Sequence, residues 1–260
     1  MDLSTLCQRL DSRLRTADFT DIDPSANGLQ IGPTAVGTGA DRPIDHVAFA
    51  VDAAREPIDR AIAIGADLLV VHHGLSWGGM ERLTGQTYDR VAHLIGTDTA
   101  LYVSHLPLDA HRELGNAAGL ARTIGLRHRD PFGDAGGEPI GVLGEFDDQS
   151  PAGLGPTLEG SLDTGTGTVT HLNFGPERIE TMAIVTGSGG DYFSEAVDAG
   201  VDAFLTGEAP ARIYHQAREA GIHVYLAGHY ATETFGVRAL ADLLDDWVDE
   251  TTFIDAPTGL

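Results

Sequence analysis

Residues 47–73, VAFAVDAAREPIDRAIAIGADLLVVHH, carry the pattern that decides the fold. An apolar run leads through a short turn into a stretch with helical spacing, which a Gly-Ala-Asp terminator separates from a second apolar run. Two such runs joined by one amphipathic helix are typical of a βαβ unit with parallel strands. The segment therefore predicts an α/β fold and places His72 and His73 at the carboxyl end of a strand.

The same pattern occurs again in residues 182–208, MAIVTGSGGDYFSEAVDAGVDAFLTGE, at a constant offset of 182 − 47 = 135. A second pair of motifs follows, because His105 precedes Asp109 by four residues and His229 precedes Glu233 by four, with both members offset by 124. Each of these motifs comes directly after an apolar run. The repetition predicts two α/β repeats related by pseudo-twofold symmetry.

The repeats divide the chain into three predicted regions. Residues 1–128 form the first α/β repeat, and residues 176–260 form the second. Residues 129–175 are rich in Gly, Pro, Asp and Thr, so we predict a linking hairpin region with short strands in EPIGVLGEF and TGTVTHLNF. The first repeat holds the half-site His72, His73, His105 and Asp109, and the second holds His229 and Glu233.

The charge of the chain indicates the solvent in which it works. There are 39 Asp and Glu residues against 16 basic residues, a net charge of −23, and every basic residue is an arginine. An acidic surface without lysine repels itself unless salt screens it, which is typical of a halophilic cytoplasm. We therefore predict a salt-requiring protein of a halophilic archaeon. The scattered arginines exclude nucleic-acid binding by phosphate neutralisation.

Two further patterns exclude a membrane protein and a thiolate site. No run approaches the roughly 20 apolar residues of a membrane span, and the N-terminus, MDLSTLCQRLDSRL, lacks the regions of a secretion signal. We therefore expect a cytoplasmic protein. The N-terminal segment predicts an amphipathic helix with Cys7 on its apolar face. Because Cys7 is the only cysteine, we expect it to pack in the core.

Histidines and acids collect at the predicted strand ends, where open α/β sheets bind their ligands. His72 and His73 can share one site only where their strand is ending, and Gly74 permits that turn. Along the second repeat, His229 and Glu233 can lie one turn apart on the same helix face. The alternative is that these histidines are only polar capping groups at strand ends.

The chemical types of the candidate ligands indicate which metals the site would bind. Three or four imidazoles with two carboxylates and no thiolate suit Zn, Fe, Mn or Ni better than Ca or Mg. Six ligands exceed one tetrahedral site, so we predict two divalent ions about 3.5–4 Å apart, bridged by a carboxylate. Such a pair activates a water and polarises a phosphoryl or carbonyl group.

Weaker signals concern the substrate. Residues 186–196, TGSGGDYFSEA, follow a strand and open a helix, so the turn at 187–190 could hold a phosphate, although a plain tight turn is the commoner use. Gln30 could place an amide near the site. Without lysine, only arginine can clamp a phosphate, and Arg112 and Arg212 are the nearest candidates along the chain.

Together these motifs resemble the Nif-three-like family, often labelled GTP cyclohydrolase 1 type 2 homologs. The resemblance runs in order through NGLQIG at 27–32, GADLLVVHHGLSW at 65–77, YVSHLPLDAHRELGN at 102–116, TGSGGDYFSEAVDAGVDAFLTGE at 186–208 and AGHYATETFGVRALA at 227–241. It implies a duplicated, intertwined α/β fold, a dinuclear metal centre at strand ends and a toroidal homohexamer built as a trimer of dimers.

The resemblance also implies a ligand set. One ion would be held by His73 and Asp109, the other by His72 and His229, with Glu233 as the bridging carboxylate.

We therefore predict a dinuclear-metal-dependent hydrolase, a GTP cyclohydrolase 1 type 2 homolog that acts through a metal-activated water on a small molecule such as a nucleotide. His105 or Glu233 would move the proton, and His105 could instead be a further ligand. A metal-dependent phosphoesterase would use the same ions and water on phosphorus. A third alternative is a non-catalytic hexameric protein that binds metal or a partner.

Overall fold

The first βαβ pattern forms two neighbouring parallel strands with a helix between them. The computed structural model describes residues 1–34, 37 and 39–260. Strand β2 (His46–Asp52), helix α2 (Arg55–Ala63) and strand β3 (Leu68–His73) follow one another, and β2 and β3 pair in parallel with Asp52 opposite His73. Gly65 ends the helical segment with a φ of +73°, in the left-handed region that glycine favours. The predicted α/β fold is confirmed.

The chain forms two compact units, each made from two stretches of sequence. Unit 1 consists of Met1–Leu108 and Gly236–Ala256, and unit 2 consists of Asp109–Phe235 and Pro257–Leu260. The predicted regions 1–128, 129–175 and 176–260 describe repeats along the sequence and not compact units. This division of the sequence stays a prediction. None of the described helices is long and apolar enough to cross a bilayer.

Unit 1 is built on a five-stranded sheet of order β1-β4-β3-β2-β11. Its first edge strand is antiparallel to β4, whereas the other neighbours are parallel. The remaining strands are β1 (Gly28–Ile31), β4 (Ala100–Val103) and β11 (Glu250–Phe253), and the helices are α1 (Leu3–Leu14), the 3-10 helix Thr16–Phe19, α3 (Gly85–Gly96) and, from Gly236 onward, α10 (Thr234–Leu244).

Helix α1 begins at a side-chain cap and buries one face. The carboxylate of Asp2 accepts a hydrogen bond from Thr5 N at 2.8 Å, which satisfies a backbone donor of the first turn. Cys7 lies among the buried leucines of this helix, as predicted. Burial, with a further contribution from Asp11, raises the pKa of the Cys7 thiol to about 12. The thiol is therefore a packing group rather than a nucleophile.

Unit 2 repeats the arrangement within a six-stranded sheet of order β5-β6-β8-β9-β10-β7. Its parallel core consists of β8 (Ile179–Val185), β9 (Ala203–Thr206) and β10 (His223–Leu226), and its antiparallel strands are β5 (Arg127–Ala135), β6 (Glu138–Gln149) and β7 (Thr170–Leu172). Its helices are α5 (Asn116–Thr123), α6 (Pro151–Ser161), the 3-10 helix Gly189–Tyr192, α7 (Phe193–Asp198), α8 (Ile213–Ala220) and α9 (His229–Thr232).

The two sheets show the duplication directly. The third, second and first strands of each repeat lie side by side, as β4-β3-β2 in unit 1 and β10-β9-β8 in unit 2. Helix α5 follows the last strand of the first repeat but belongs to unit 2, while most of α10 follows the second repeat and belongs to unit 1. The fold is therefore duplicated and intertwined, as the resemblance implied.

The region between the repeats contains more structure than the sequence predicts. Strands β6 and β7 lie in the two predicted strand segments, but they pair with β5 and β10 and not with each other, and helix α6 was not expected. Its three glycines and Pro156 argue against a helix there. Ser150 caps its N-terminus by accepting a hydrogen bond from Gly153 N at 3.1 Å, and Leu154 and Leu158 are fully buried. Tertiary packing therefore overrides the low helix propensity.

Candidate metal centre

Three imidazoles lie together at the strand ends of unit 1. His72 and His73 end β3, and His105 stands just before the short helix α4 (Leu106–Asp109). The ring centroid of His72 lies 4.6 Å from that of His73 and 5.0 Å from that of His105. One ligand nitrogen from each residue lies within 4.8 Å of the others. The structure thus brings together three of the predicted site residues.

The turn after β3 allows this convergence. A Cβ built on Gly74 would lie 2.6 Å from Val103 Cγ2 and 2.8 Å from Gln30 Nε2, so only glycine fits there. The Gln30 carbonyl accepts a hydrogen bond from Leu75 N at 2.6 Å. The side-chain amide of Gln30, which we predicted near the site, therefore holds the loop that follows His72 and His73.

Oxygen acceptors orient the two histidines of β3. The Nδ1–H of His72 donates to the carbonyl oxygen of Ser104 at 2.9 Å, and the Nδ1–H of His73 donates to Asp52 Oδ1 at 2.9 Å. Because both partners can only accept, Nδ1 carries the proton and Nε2 is the nitrogen suited to a metal. Histidine ligands in proteins are typically held in this way.

A buried carboxylate orients the third imidazole. Asp23 accepts from His105 Nδ1 at 2.9 Å, from Leu106 N at 2.9 Å, and from Ser25 N and Asn27 Nδ2 at 2.8 Å each. Burial alone would raise the pKa of Asp23, but the hydrogen bond and charge of His105, together with Asn27 and Ser25 N, lower it. Asp23 therefore remains a carboxylate that holds the imidazole of His105 in place.

The half-site of unit 2 pairs one imidazole with two carboxylates. His229 Nε2 lies 3.2 Å from Glu233 Oε2, and His229 Nδ1 lies 3.0 Å from Glu208 Oε1, which also accepts from Ser188 Oγ. Burial alone would lower the pKa of His229, but Glu233 and Glu208 raise it to about 9. The two carboxylates therefore stabilise positive charge on this imidazole. The Glu233 side chain is only 5% exposed, and carboxylates are rarely buried to this degree unless they are paired with positive charge.

The glycine-rich turn of unit 2 packs against this half-site. Gly187 has a φ of +59°, and its N–H donates to Thr232 Oγ1 at 3.0 Å. A Cβ built on Gly187 would overlap Glu233 Oε1 and lie 3.2 Å from His229 Nε2. The backbone at Gly187 approaches Glu233 and His229 so closely that a side chain would not fit, which accounts for the glycine. Phosphate binding by the turn at 187–190 stays a prediction.

Asp109 lies at a small cavity of unit 2. One of its oxygens accepts from Asn116 Nδ2 at 2.8 Å. The cavity has a volume of about 160 Å³, and two arginines, Arg112 and Arg129, contribute to its lining beside Asp109. Arg112, one of the two arginines that the sequence offers as an anion clamp, lines this cavity, and its role as a clamp stays a prediction; Arg129 was not predicted.

Two further polar side chains, the anion-clamp candidate Arg212 and His111, form local contacts. Arg212 forms an exposed ion pair with Asp191. The Nδ1 atom of His111 accepts a hydrogen bond from Leu114 N at 3.0 Å and so stabilises the turn before α5. Neither arrangement indicates a catalytic role.

Sequence reasoning missed the carboxylates that hold the imidazoles. Glu208 could have been found, because the offset of 208 − 135 = 73 places it at the position of His73 in the other repeat. Asp52 is the last residue of β2 and lies opposite His73 in the ladder. Asp23 belongs to no motif, since its partner His105 is 82 residues away.

Nearly the whole chain matches a known protein family. A family model described as Duf34/NIF3 (NGG1p interacting factor 3) matches residues 1–258. The chain belongs to the Duf34/NIF3 family. The NIF3 resemblance inferred from the motifs is therefore confirmed.

Relatives in the NIF3 family are similar over their full length. A Halobacterium salinarum protein named "GTP cyclohydrolase 1 type 2 homolog" is 51% identical, and an Archaeoglobus fulgidus protein of the same name is 39% identical, each covering 100% of both chains. The crystal structure of a Thermus thermophilus protein, TTHA1606, is 36% identical, with a TM-score of 0.86, and covers 100% of both chains.

The donor chemistry of this NIF3-family chain fits a divalent transition metal. Unit 1 offers imidazoles whose Nδ1 atoms are committed to oxygen acceptors, and unit 2 offers an imidazole beside a buried carboxylate. Nitrogen and carboxylate donors without thiolate suit Zn, Fe, Mn or Ni. The residues present therefore fit the group that the family resemblance implies.

Proposed function

We propose that this protein is a hydrolase that depends on two divalent metal ions. The observation that carries the proposal is the fixed orientation of the unit 1 imidazoles, whose Nδ1 atoms are held by backbone or carboxylate oxygen. The proposed ligands are His73 and Asp109 for one ion, His72 and His229 for the other, and Glu233 as the bridge. We further propose the toroidal homohexamer that the family resemblance implies.

When bound, the metal pair supplies Lewis-acid polarisation of the substrate and lowers the pKa of water. The residues of the chain manage the proton. His105 accepts a proton from the attacking water, and Asp23 stabilises the imidazolium that forms, as a carboxylate does for a general-base histidine. Glu233 is the second candidate for this proton transfer. For GTP, the bond attacked would be at C8 of the purine.

A phosphoesterase is the second candidate, and the arginine-lined cavity of unit 2 favours it. Arg112 and Arg129 could bind phosphate oxygens in the cavity that Asp109 also lines. A volume of about 160 Å³ is below the roughly 300–1,000 Å³ of typical ligand pockets, so this cavity suits one phosphate group rather than a whole nucleotide.

Product analysis separates the two reactions. The purified protein is loaded separately with Zn, Fe, Mn or Ni and incubated with GTP and with a panel of phosphodiesters. Cyclohydrolase chemistry opens the imidazole ring of the purine and shifts its ultraviolet absorption band, whereas phosphoesterase chemistry releases a phosphomonoester. Absence of turnover with every metal and substrate would contradict the hydrolase proposal and favour a non-catalytic metal-binding protein.

The Asp23→Asn variant tests the role of His105. We expect turnover to fall by roughly 10- to 100-fold with metal content unchanged, because the variant removes the charge that stabilises the protonated imidazole. Asp52→Asn is the matched control, since Asp52 holds the proposed ligand His73 through the same type of bond. That control should weaken metal affinity instead. If Asp23→Asn also loses metal, His105 is a ligand rather than the proton acceptor.

A further inference from the structure

Trp77 stands over the imidazoles of unit 1 with much of its indole in solvent. Its ring centroid lies 4.9 Å from that of His105, edge to face at 79°, and 5.9 Å from that of His73. The residue is nevertheless 43% exposed. Tryptophan is usually well buried, and it is enriched where one face contacts a ligand or partner. An exposed indole beside candidate metal ligands therefore calls for a functional explanation.

The indole is held in place by its own segment. Trp77 Nε1–H donates to the carbonyl oxygen of Gly74 at 3.2 Å, and the backbone of Trp77 forms an antiparallel bridge with Ser25. Gly78 N donates to Pro24 O at 2.6 Å. A side chain that is already ordered loses little further conformational entropy when a ligand covers it, which favours binding.

We propose that Trp77 is the stacking surface of the substrate subsite and that the substrate carries a planar aromatic heterocycle. The ring would lie on the exposed indole, with its reacting atom toward His105. This inference rests on the proposed hydrolase function and specifies its substrate class. An aliphatic phosphodiester would leave the indole without a use.

The charge of the protein supports stacking as the source of affinity. At −23, the chain repels anions, and the salt that relieves this repulsion also screens arginine–phosphate attraction. Stacking of two uncharged aromatic rings depends little on the net charge of the protein or on salt screening. A ring bound on Trp77 therefore retains its affinity in the solvent that the composition predicts.

Binding of a purine nucleoside tests the proposal without catalysis. The chain has two tryptophans, so Trp247→Phe leaves Trp77 as the only indole reporter. We expect guanosine and adenosine to quench this fluorescence, while ribose 5-phosphate does not. By calorimetry, Trp77→Leu should weaken guanosine binding by at least about fivefold, and Trp77→Phe should retain it within about threefold. Metal content and circular dichroism should match the parent protein.

Several outcomes would overturn the proposal. Unchanged guanosine affinity in Trp77→Leu, or no nucleoside binding by the parent protein at millimolar concentration, would show that Trp77 is not a stacking surface. A changed oligomeric state with unchanged guanosine affinity would make Trp77 a contact between copies instead. If guanosine binding is lost in Trp77→Leu but no hydrolysis is found for any substrate, the hydrolase proposal fails and the stacking subsite stands.

Discussion

Glu233→Gln is expected to lose bound metal and activity together. The substitution keeps the size of a nearly buried side chain but removes the charge that we propose bridges the two ions. We expect bound metal to fall from about two ions per subunit to one or fewer and turnover to fall by about 10³-fold or more, well beyond the roughly 10- to 100-fold typical of residues that only orient a ligand. Mass spectrometry of the metal content and a turnover assay measure both effects.

Glu208→Gln is the matched control for this prediction. Glu208 and Glu233 both contact the imidazole of His229, at Nδ1 and Nε2 respectively. The control should weaken metal binding while both ions still bind at saturating metal. Thermal melts establish that both variants fold. Equal metal content in the two variants would remove Glu233 from the proposed ligand set.

Removal of salt is expected to destabilise the fold strongly. The 16 arginines can pair with at most 16 of the 39 acids, so at least 23 negative charges remain unneutralised. Lowering the salt from about 1 M to about 0.01 M lengthens the screening distance from roughly 3 Å to roughly 30 Å, and most of these charges then repel one another. We expect the melting temperature to fall by about 10 °C or more, which corresponds to several kcal/mol for a chain of this size. Circular-dichroism melts in KCl measure the change.

Sucrose distinguishes screening from general stabilisation. It strengthens burial by exclusion from the protein surface but does not screen charge. At low salt, sucrose should therefore recover only a minor part of the lost stability. A melting temperature independent of KCl would contradict the halophilic interpretation.

The strand-end histidines illustrate what local pattern predicts well. The run of buried residues before His72 and His73 has the length and the ending of a strand. The position of the two histidines at the carboxyl end of that strand therefore follows from the sequence. The repeat offset likewise predicts a second α/β repeat. The first inference uses neighbouring residues, and the second uses the similarity of two segments that are 135 residues apart.

The features that the sequence did not predict depend on contacts between distant parts of the chain. Asp23 reaches His105 across 82 residues, and no periodicity signals that bond. Helix α6 is stabilised by the burial of Leu154 and Leu158, which outweighs its glycines and proline. The exposure of Trp77 also follows from its anchoring to Ser25 rather than from its hydropathy.

Unit 1 is built from two separate stretches of the chain, and this affects how the protein folds during its synthesis. Strand β2 pairs on one side with β11, which follows it by about 200 residues. Until that strand leaves the ribosome, the hydrogen-bonding edge of β2 is uncovered, and open strand edges are sites of intermolecular pairing. The sheet of unit 1 is therefore complete only after β11 has been synthesised. Folding of the two halves is thus coupled, and long loop closure makes it slow.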